Sequence, residues 1–160
     1  MILIVEDDLG IQETLKTILT MKNYQVLQAY TLKGALANQL EQIELVIIDI
    51  QLPDGNGIIL CQQIRQYSQV PILFLTARND EETIVEALNA GGDDYIVKPF
   101  RANELLARMH SIMRRMIKNK DVIETNDLVI DLKKYRVTKN QKEILLSAIG
   151  YEILFLMVQN

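Results

Sequence analysis

The chain has 160 residues, 49% of them apolar and 24% charged, with 17 Lys and Arg against 21 Asp and Glu and a net charge of −4. Seven Gly, three Pro and a single Cys exclude a collagen-like, disordered or disulfide-stapled chain, and the acidic balance excludes a general polyanion binder. No apolar run approaches the ~20 residues of a membrane span, and Met1 leads into apolar residues and then acids without the basic start of a signal peptide, so a cytoplasmic location is expected.

In chain order, the first apolar run, residues 2–5, predicts a strand. Ile11, Leu15, Ile18 and Leu19 then fall on one helical face. Residues 24–28 and 44–49 predict further strands, the second holding the unbroken run Leu45-Val46-Ile47-Ile48. Leu60, Ile64 and Tyr67 mark a helix, and residues 70–75, with Ile72-Leu73-Phe74-Leu75, a fourth strand. Continuous apolar runs suit strands buried on both faces, as in a parallel sheet covered by helices. Asp80 before Glu81 and Glu82 predicts an N-cap and a dipole-matched first turn, and Ile84 or Val85 with Leu88 supplies the stripe that follows. Residues 94–97 form the fifth predicted strand, and Leu105, Met109, Ile112 and Met116 mark a last long helix. Strand and helix alternating five times predicts a doubly wound α/β domain over residues 1–116.

Beyond Arg114-Arg115 the texture changes. Residues 1–116 carry 10 basic against 15 acidic side chains, and residues 117–160 carry 7 against 6, so two units are expected. Residues 117–121 suit a linker. Residues 122–146 suit short strands with turns near Thr125-Asn126-Asp127 and Lys139-Asn140-Gln141, and Ser147 opens an apolar helix.

The chemistry gathers where the predicted strands end: Glu6-Asp7 after the first, Asp49 after the third, Thr76 after the fourth and Lys98 after the fifth. In an open parallel sheet these ends line one crevice. Close carboxylates repel by about 4 kcal/mol per pair at an effective dielectric near 20, so three of them require a cation. Oxygen ligands favour Mg²⁺ over zinc. Lys98 would face the metal, and the two cations would neutralise a phosphoryl group in transfer. Asp49, followed by the turn-forming Pro53-Asp54-Gly55-Asn56-Gly57, is the candidate nucleophile. Thr76 and the Ala77 amide would bond the new phosphoryl oxygens, and Tyr95 would follow into the space that Thr76 vacates.

Ile4-Val5-Glu6-Asp7, Ile47-Ile48-Asp49 with Leu52-Pro53-Asp54-Gly55, Leu75-Thr76-Ala77-Arg78 and residues 92–100 together resemble the receiver-domain signature of two-component response regulators. The resemblance implies a flavodoxin-like fold with strand order 2-1-3-4-5 and phosphorylation of Asp49 by a sensor histidine kinase. It also implies Mg²⁺ held by Asp7, Asp49 and the Gln51 backbone carbonyl with Glu6 acting through water, and a cis bond between Lys98 and Pro99. Asp93-Asp94-Tyr95 and the second segment resemble the OmpR/PhoB class, which implies a winged-helix effector domain begun in residues 122–160 and bound to promoter DNA when complete. That class also implies a homodimer through the face of helix four, strand five and helix five. Asp94 with Arg108, Asp93 with Arg114 or Arg115, and Glu104 match its dimer residues by position. Ile84 stands where the class has a basic partner for Glu104, and Gly150 where it has a Glu. The recognition helix and wing would lie beyond Asn160.

Weighed singly, several of these residues have plainer readings. Asp8 suits a helix cap, Cys61 a packing residue, His110 a structural or surface position, and Arg114-Arg115 a solvated helix end. An aspartyl-phosphate hydrolase would use the same nucleophile but place a second Asp two residues on, where this chain has Gln51, so a slow switch is expected in place of an enzyme.

Overall fold

The computed structural model describes residues 1–38, 40–77, 81–119, 122–125, 128–131, 136–147, 150, 153–154 and 157. It divides into two compact units, Met1–Met113 and Arg114–Asn160.

The first unit is a five-stranded parallel sheet of β1 (Ile2–Val5), β2 (Val26–Ala29), β3 (Leu45–Asp49), β4 (Ile72–Thr76) and β5 (Asp94–Val97), in the order β2-β1-β3-β4-β5. Every residue of β1, β3 and β4 is buried, which is why these strands are apolar nearly throughout. One sheet face packs Ile2, Ile4, Leu45, Ile47, Leu73 and Leu75 against Leu15 and Leu19 of α1 (Leu9–Thr20) and Leu105, Met109 and Ile112 of α5 (Ala102–Asn119). The other packs Leu3, Val5, Val46, Ile48 and Phe74 against α2 (Leu32–Leu36), α3 (Gly57–Arg65) and α4 (Glu81–Asn89) through Ala35, Leu60, Ile64 and Ala87. Helices on both faces make the fold doubly wound, as expected.

Three local expectations change. Tyr67 lies past the end of α3 and is exposed, because the helix stops at Arg65. On α4, Ala87 alone is buried while Val85 and Leu88 face solvent, so the sequence stripe is not the packed one. The helix α5 runs through Asn119, so residues 117–119 of the expected linker are helical. The short α2 left no apolar period. Asp80, Lys120, Asp121 and the Met116 side chain lie outside the described residues.

The crossover from β3 to α3 is tight. A two-residue hairpin pairs Gln51–Leu52 with Gly55–Asn56, and the Gly57 N–H donates to the Ile50 carbonyl at 2.8 Å. A Cβ on Gly57 would lie 2.1 Å from the Asp49 carbonyl oxygen, so only glycine starts α3 this close to the strand.

The second unit holds an antiparallel sheet of β6 (Val122–Thr125), β7 (Leu128–Asp131), β8 (Arg136–Lys139) and β9 (Lys142–Ile144), in the order β9-β8-β7-β6. Ile130 and Val137 are cross-strand neighbours and both buried. Asn140 and Gln141, at φ 49° and 63°, form the two-residue turn between β8 and β9, where the sequence predicts one. Ser147 accepts the Gly150 N–H at 3.1 Å, the expected helix-opening cap. This β-rich segment fits the start of a winged-helix domain.

Candidate functional site

The carboxyl ends of β1, β3, β4 and β5 converge. Glu6 follows β1 and is 1% exposed. Asp49 is the last residue of β3, opposite Leu75 in the register, and Thr76 ends β4, opposite Val97. Asp49 and Thr76 are both buried. Lys98 follows β5, its N–H donating to the Thr76 carbonyl at 2.8 Å, and precedes a cis peptide bond to Pro99. Parallel pairing in this register brings residues more than 90 positions apart to one edge of the sheet.

There the Lys98 ammonium donates to Glu6 Oε2 at 2.6 Å and to Asp49 Oδ2 at 2.8 Å. Carboxylate oxygens of Glu6, Asp7 and Asp49 lie within 4.8 Å of one another, Asp7 being the exposed member. Burial pushes the Glu6 carboxyl above its usual range and the Asp49 charge adds to that, while the hydrogen bond from Lys98 pulls partly back. Burial works against the charged Lys98 ammonium, but the bonds and charges of Asp49 and Glu6 outweigh it and hold Lys98 above its usual range. Three carboxylates against one ammonium leave surplus negative charge in a half-buried crevice. The all-oxygen donor set suits a hard divalent cation.

Asp49 Oδ1 also accepts the Gln51 N–H at 3.3 Å, tying the acid to the hairpin. Beside it, Gln51, Asn56, Thr76, Thr83 and Glu86 rim a cleft of about 360 Å³ floored by Ile50, Leu52 and Ile58. Tyr95 is half-buried against the core, with the Arg108 guanidinium 5.9 Å above its ring. The expected dimer residues are engaged within the chain. Arg65 pairs with Asp93 at 3.0 Å, and Arg108 pairs with Asp94 at 3.0 Å and with Glu104 at 3.2 Å. Arg115 is exposed on α5 and Ile84 half-buried on α4. Cys61 is buried, its thiol donating to the Ala90 carbonyl at 3.4 Å, a packing role as expected, and His110 is exposed.

The roles of two residues near the site escaped the sequence reading. Gln12, fully buried on α1, donates from Nε2 to the Glu6 and Ala29 carbonyls. Asp54 caps α2 across the hairpin, accepting the Leu32 and Lys33 N–H groups. Neither pairing is local in sequence, so no short-range pattern signals it.

Residues 2–110 match the family model of the response regulator receiver domain. This chain belongs to the response regulator family. Response regulator ArlR of Staphylococcus aureus is 41% identical over 160 residues, covering 99% of this chain and 73% of that protein. Among solved structures, a two-component response regulator from Clostridium difficile superposes with a TM-score of 0.69 at 36% identity, over 74% of this chain and 98% of the other. DrrB of Thermotoga maritima, an OmpR/PhoB homologue, gives a TM-score of 0.67 at 30% identity, over 99% of this chain and 72% of that one. The response regulator therefore resembles an OmpR/PhoB homologue through both units, and its acidic cluster lies in the receiver domain. Among the described residues, no helix is long and apolar enough to cross a membrane.

Proposed function

We propose that this response regulator is a phosphorylation-controlled switch that takes a phosphoryl group on Asp49 from a sensor histidine kinase. The observation that carries the reading is the Lys98 ammonium held between the Glu6 and Asp49 carboxylates, with Asp7 beside them. In the transfer, an Asp49 carboxylate oxygen bonds to phosphorus while the P–N bond of the donor phosphohistidine breaks, its electron pair leaving on the imidazole nitrogen. Lys98, the Thr76 hydroxyl and the Ala77 amide receive the phosphoryl oxygens. Asp7, Asp49 and the Gln51 carbonyl, with Glu6 through water, would hold Mg²⁺, which supplies neutralising charge to those oxygens.

Thr76 drawn toward the new phosphoryl group, and Tyr95 following it, form the switch. To carry an equilibrium from 1:99 to 99:1 the modification must favour the active state by about 5.5 kcal/mol. Burying a dianion against two cations and a hydroxyl supplies energy of that order. The output is a homodimer through the face of α4, β5 and α5, using Asp93, Asp94, Glu104, Arg108 and Arg115, and transcriptional control through promoter DNA where the winged-helix domain is complete. We assign residues 1–116 to the receiver and residues 122–160 to the effector domain. With Gln51 two positions after Asp49, no second Asp supports rapid hydrolysis, so autodephosphorylation is slow.

Incubation with acetyl phosphate and Mg²⁺, followed by intact mass measurement, tests this. A single stable adduct, absent in Asp49→Ala, is the expected result. Multiple turnover of the donor would favour a hydrolase, and no adduct would favour a passive interaction module.

A further inference from the structure

We infer that Gln12 is a positioning residue for the acidic site, its buried carboxamide fixing the Glu6 peptide and with it the Glu6-Asp7 pair that faces Asp49. The inference rests on the proposed reading of Glu6, Asp7 and Asp49 as a divalent-cation site.

Gln12 lies one turn before Leu15 on the buried side of α1 and is 0% exposed. A purely structural position there calls for an apolar side chain, because a buried carboxamide costs free energy unless its hydrogen bonds are made. Here they are made to the site's own backbone. Nε2 donates to the Glu6 carbonyl at 3.0 Å and to the Ala29 carbonyl at 2.8 Å, and Oε1 accepts from Gln28 Nε2 at 2.9 Å. Two carbonyl acceptors on one side and a donor on the other fix which way the amide faces. The Glu6 N–H meanwhile donates to the same Ala29 carbonyl at 3.1 Å. Glu6 is thus gripped at its N–H by β2 and at its C=O by Gln12. Downstream, the Asp8 N–H reaches back to Glu6 Oε1 at 3.3 Å, while Asp8 caps α1 through the Ile11 N–H at 2.9 Å. Residues 6 to 8 are held between the end of β2 and the first turns of α1, and Gln12 is the side chain that closes this clamp from the helix. Removing its donors frees the Glu6 carbonyl to rotate, and the acids then meet a cation in a wider range of positions.

Mn²⁺ binding to the full chain, measured by electron paramagnetic resonance, tests this, with melting temperature recorded alongside. Gln12→Met, which keeps the side-chain volume, is expected to weaken the Mn²⁺ Kd about tenfold, as the loss of residues supporting metal ligands typically does. Leu19→Val, on the same helix but remote from the Glu6 carbonyl, is expected to lower the melting temperature and leave the Kd unchanged. Gln28→Leu, which removes the donor to Gln12 Oε1 together with its longer, exposed bond to Glu13 Oε1 at 3.3 Å, should shift the Kd in the same direction by less, and it carries the test if Gln12→Met does not fold. An unchanged Kd in Gln12→Met, an unchanged Kd in Gln28→Leu when Gln12→Met is unfolded, or an equal weakening in Leu19→Val would overturn the inference. Absence of Mn²⁺ binding in the parent chain would instead overturn the cation-site reading and the inference with it.

Discussion

The carboxylate of Asp54 accepts the N–H groups of Leu32 and Lys33 at 2.8 and 3.1 Å, 22 and 21 residues back in the chain, and Thr31 caps the same turn through the Gly34 N–H. These backbone bonds hold the Asp54 carboxyl below its usual range. An acid depressed in the folded state adds stability above its unfolded pKa, near ~4, and loses that contribution as pH falls through the folded value. Asp54→Ala is therefore expected to melt a few degrees lower than the parent at pH 7, with the gap closing in acid below about pH 4. Circular-dichroism melts at both pH values check this, and coincident curves at pH 7 would count against the cap. Sequence alone marks Asp54 as a turn former and nothing more, since its role depends on the hairpin carrying it to α2. Glu6, Asp7, Asp49, Thr76 and Lys98 were legible for the opposite reason. Each lies within two residues of the end of an apolar run, and a strand end in a parallel sheet has a known place.

Strands β1, β3 and β4 were legible because burial on both faces leaves an unbroken apolar run. The helices were legible only where one face packs deeply. Leu15 and Leu19 of α1 are fully buried, as are Leu105 and Met109 of α5. By contrast α4 meets the core through Ala87 and leaves Val85 47% exposed, so its apolar residues misdirect a periodicity argument. At the start of α3 the constraint is on space. A Cβ on Gly57 would stand 2.1 Å from the Asp49 carbonyl oxygen and 2.8 Å from Ile48 Cγ2, atoms that cannot yield without moving β3. Gly57→Ala should lower stability by about 3 kcal/mol, the upper part of the range for overpacking, and also displace Asp49. Urea unfolding gives the first quantity, and the yield of acetyl phosphate adduct reports the second. A variant with parental stability would show that α3 starts elsewhere.

Across the molecule, the expected self-association must contend with pairs already made. Asp93 is bonded to Arg65 and also accepts the Ile72 N–H at 2.8 Å, while Asp94 holds Arg108 through both oxygens. Exchanging one part-exposed ion pair for another gains little. Exposed Val85 and Leu88 on the same face offer apolar area in addition. Sedimentation is thus expected to show a larger dimer fraction after acetyl phosphate treatment, none of that increase in Asp49→Ala, and a greater loss of dimer in Leu88→Asp than in Asp93→Asn. The reverse order would make the ion pairs dominant.

The spacing of the acidic pocket along the chain also sets an order of events during synthesis. Residues 6 and 49 leave the ribosome well before residue 98, so a nascent receiver that has paired its first, third and fourth strands presents two facing anions with no counter-ion of its own. Closing the fifth strand delivers the missing positive charge, and until then free cations in the surrounding solution supply the counter-charge that the neighbouring backbone N–H groups cannot.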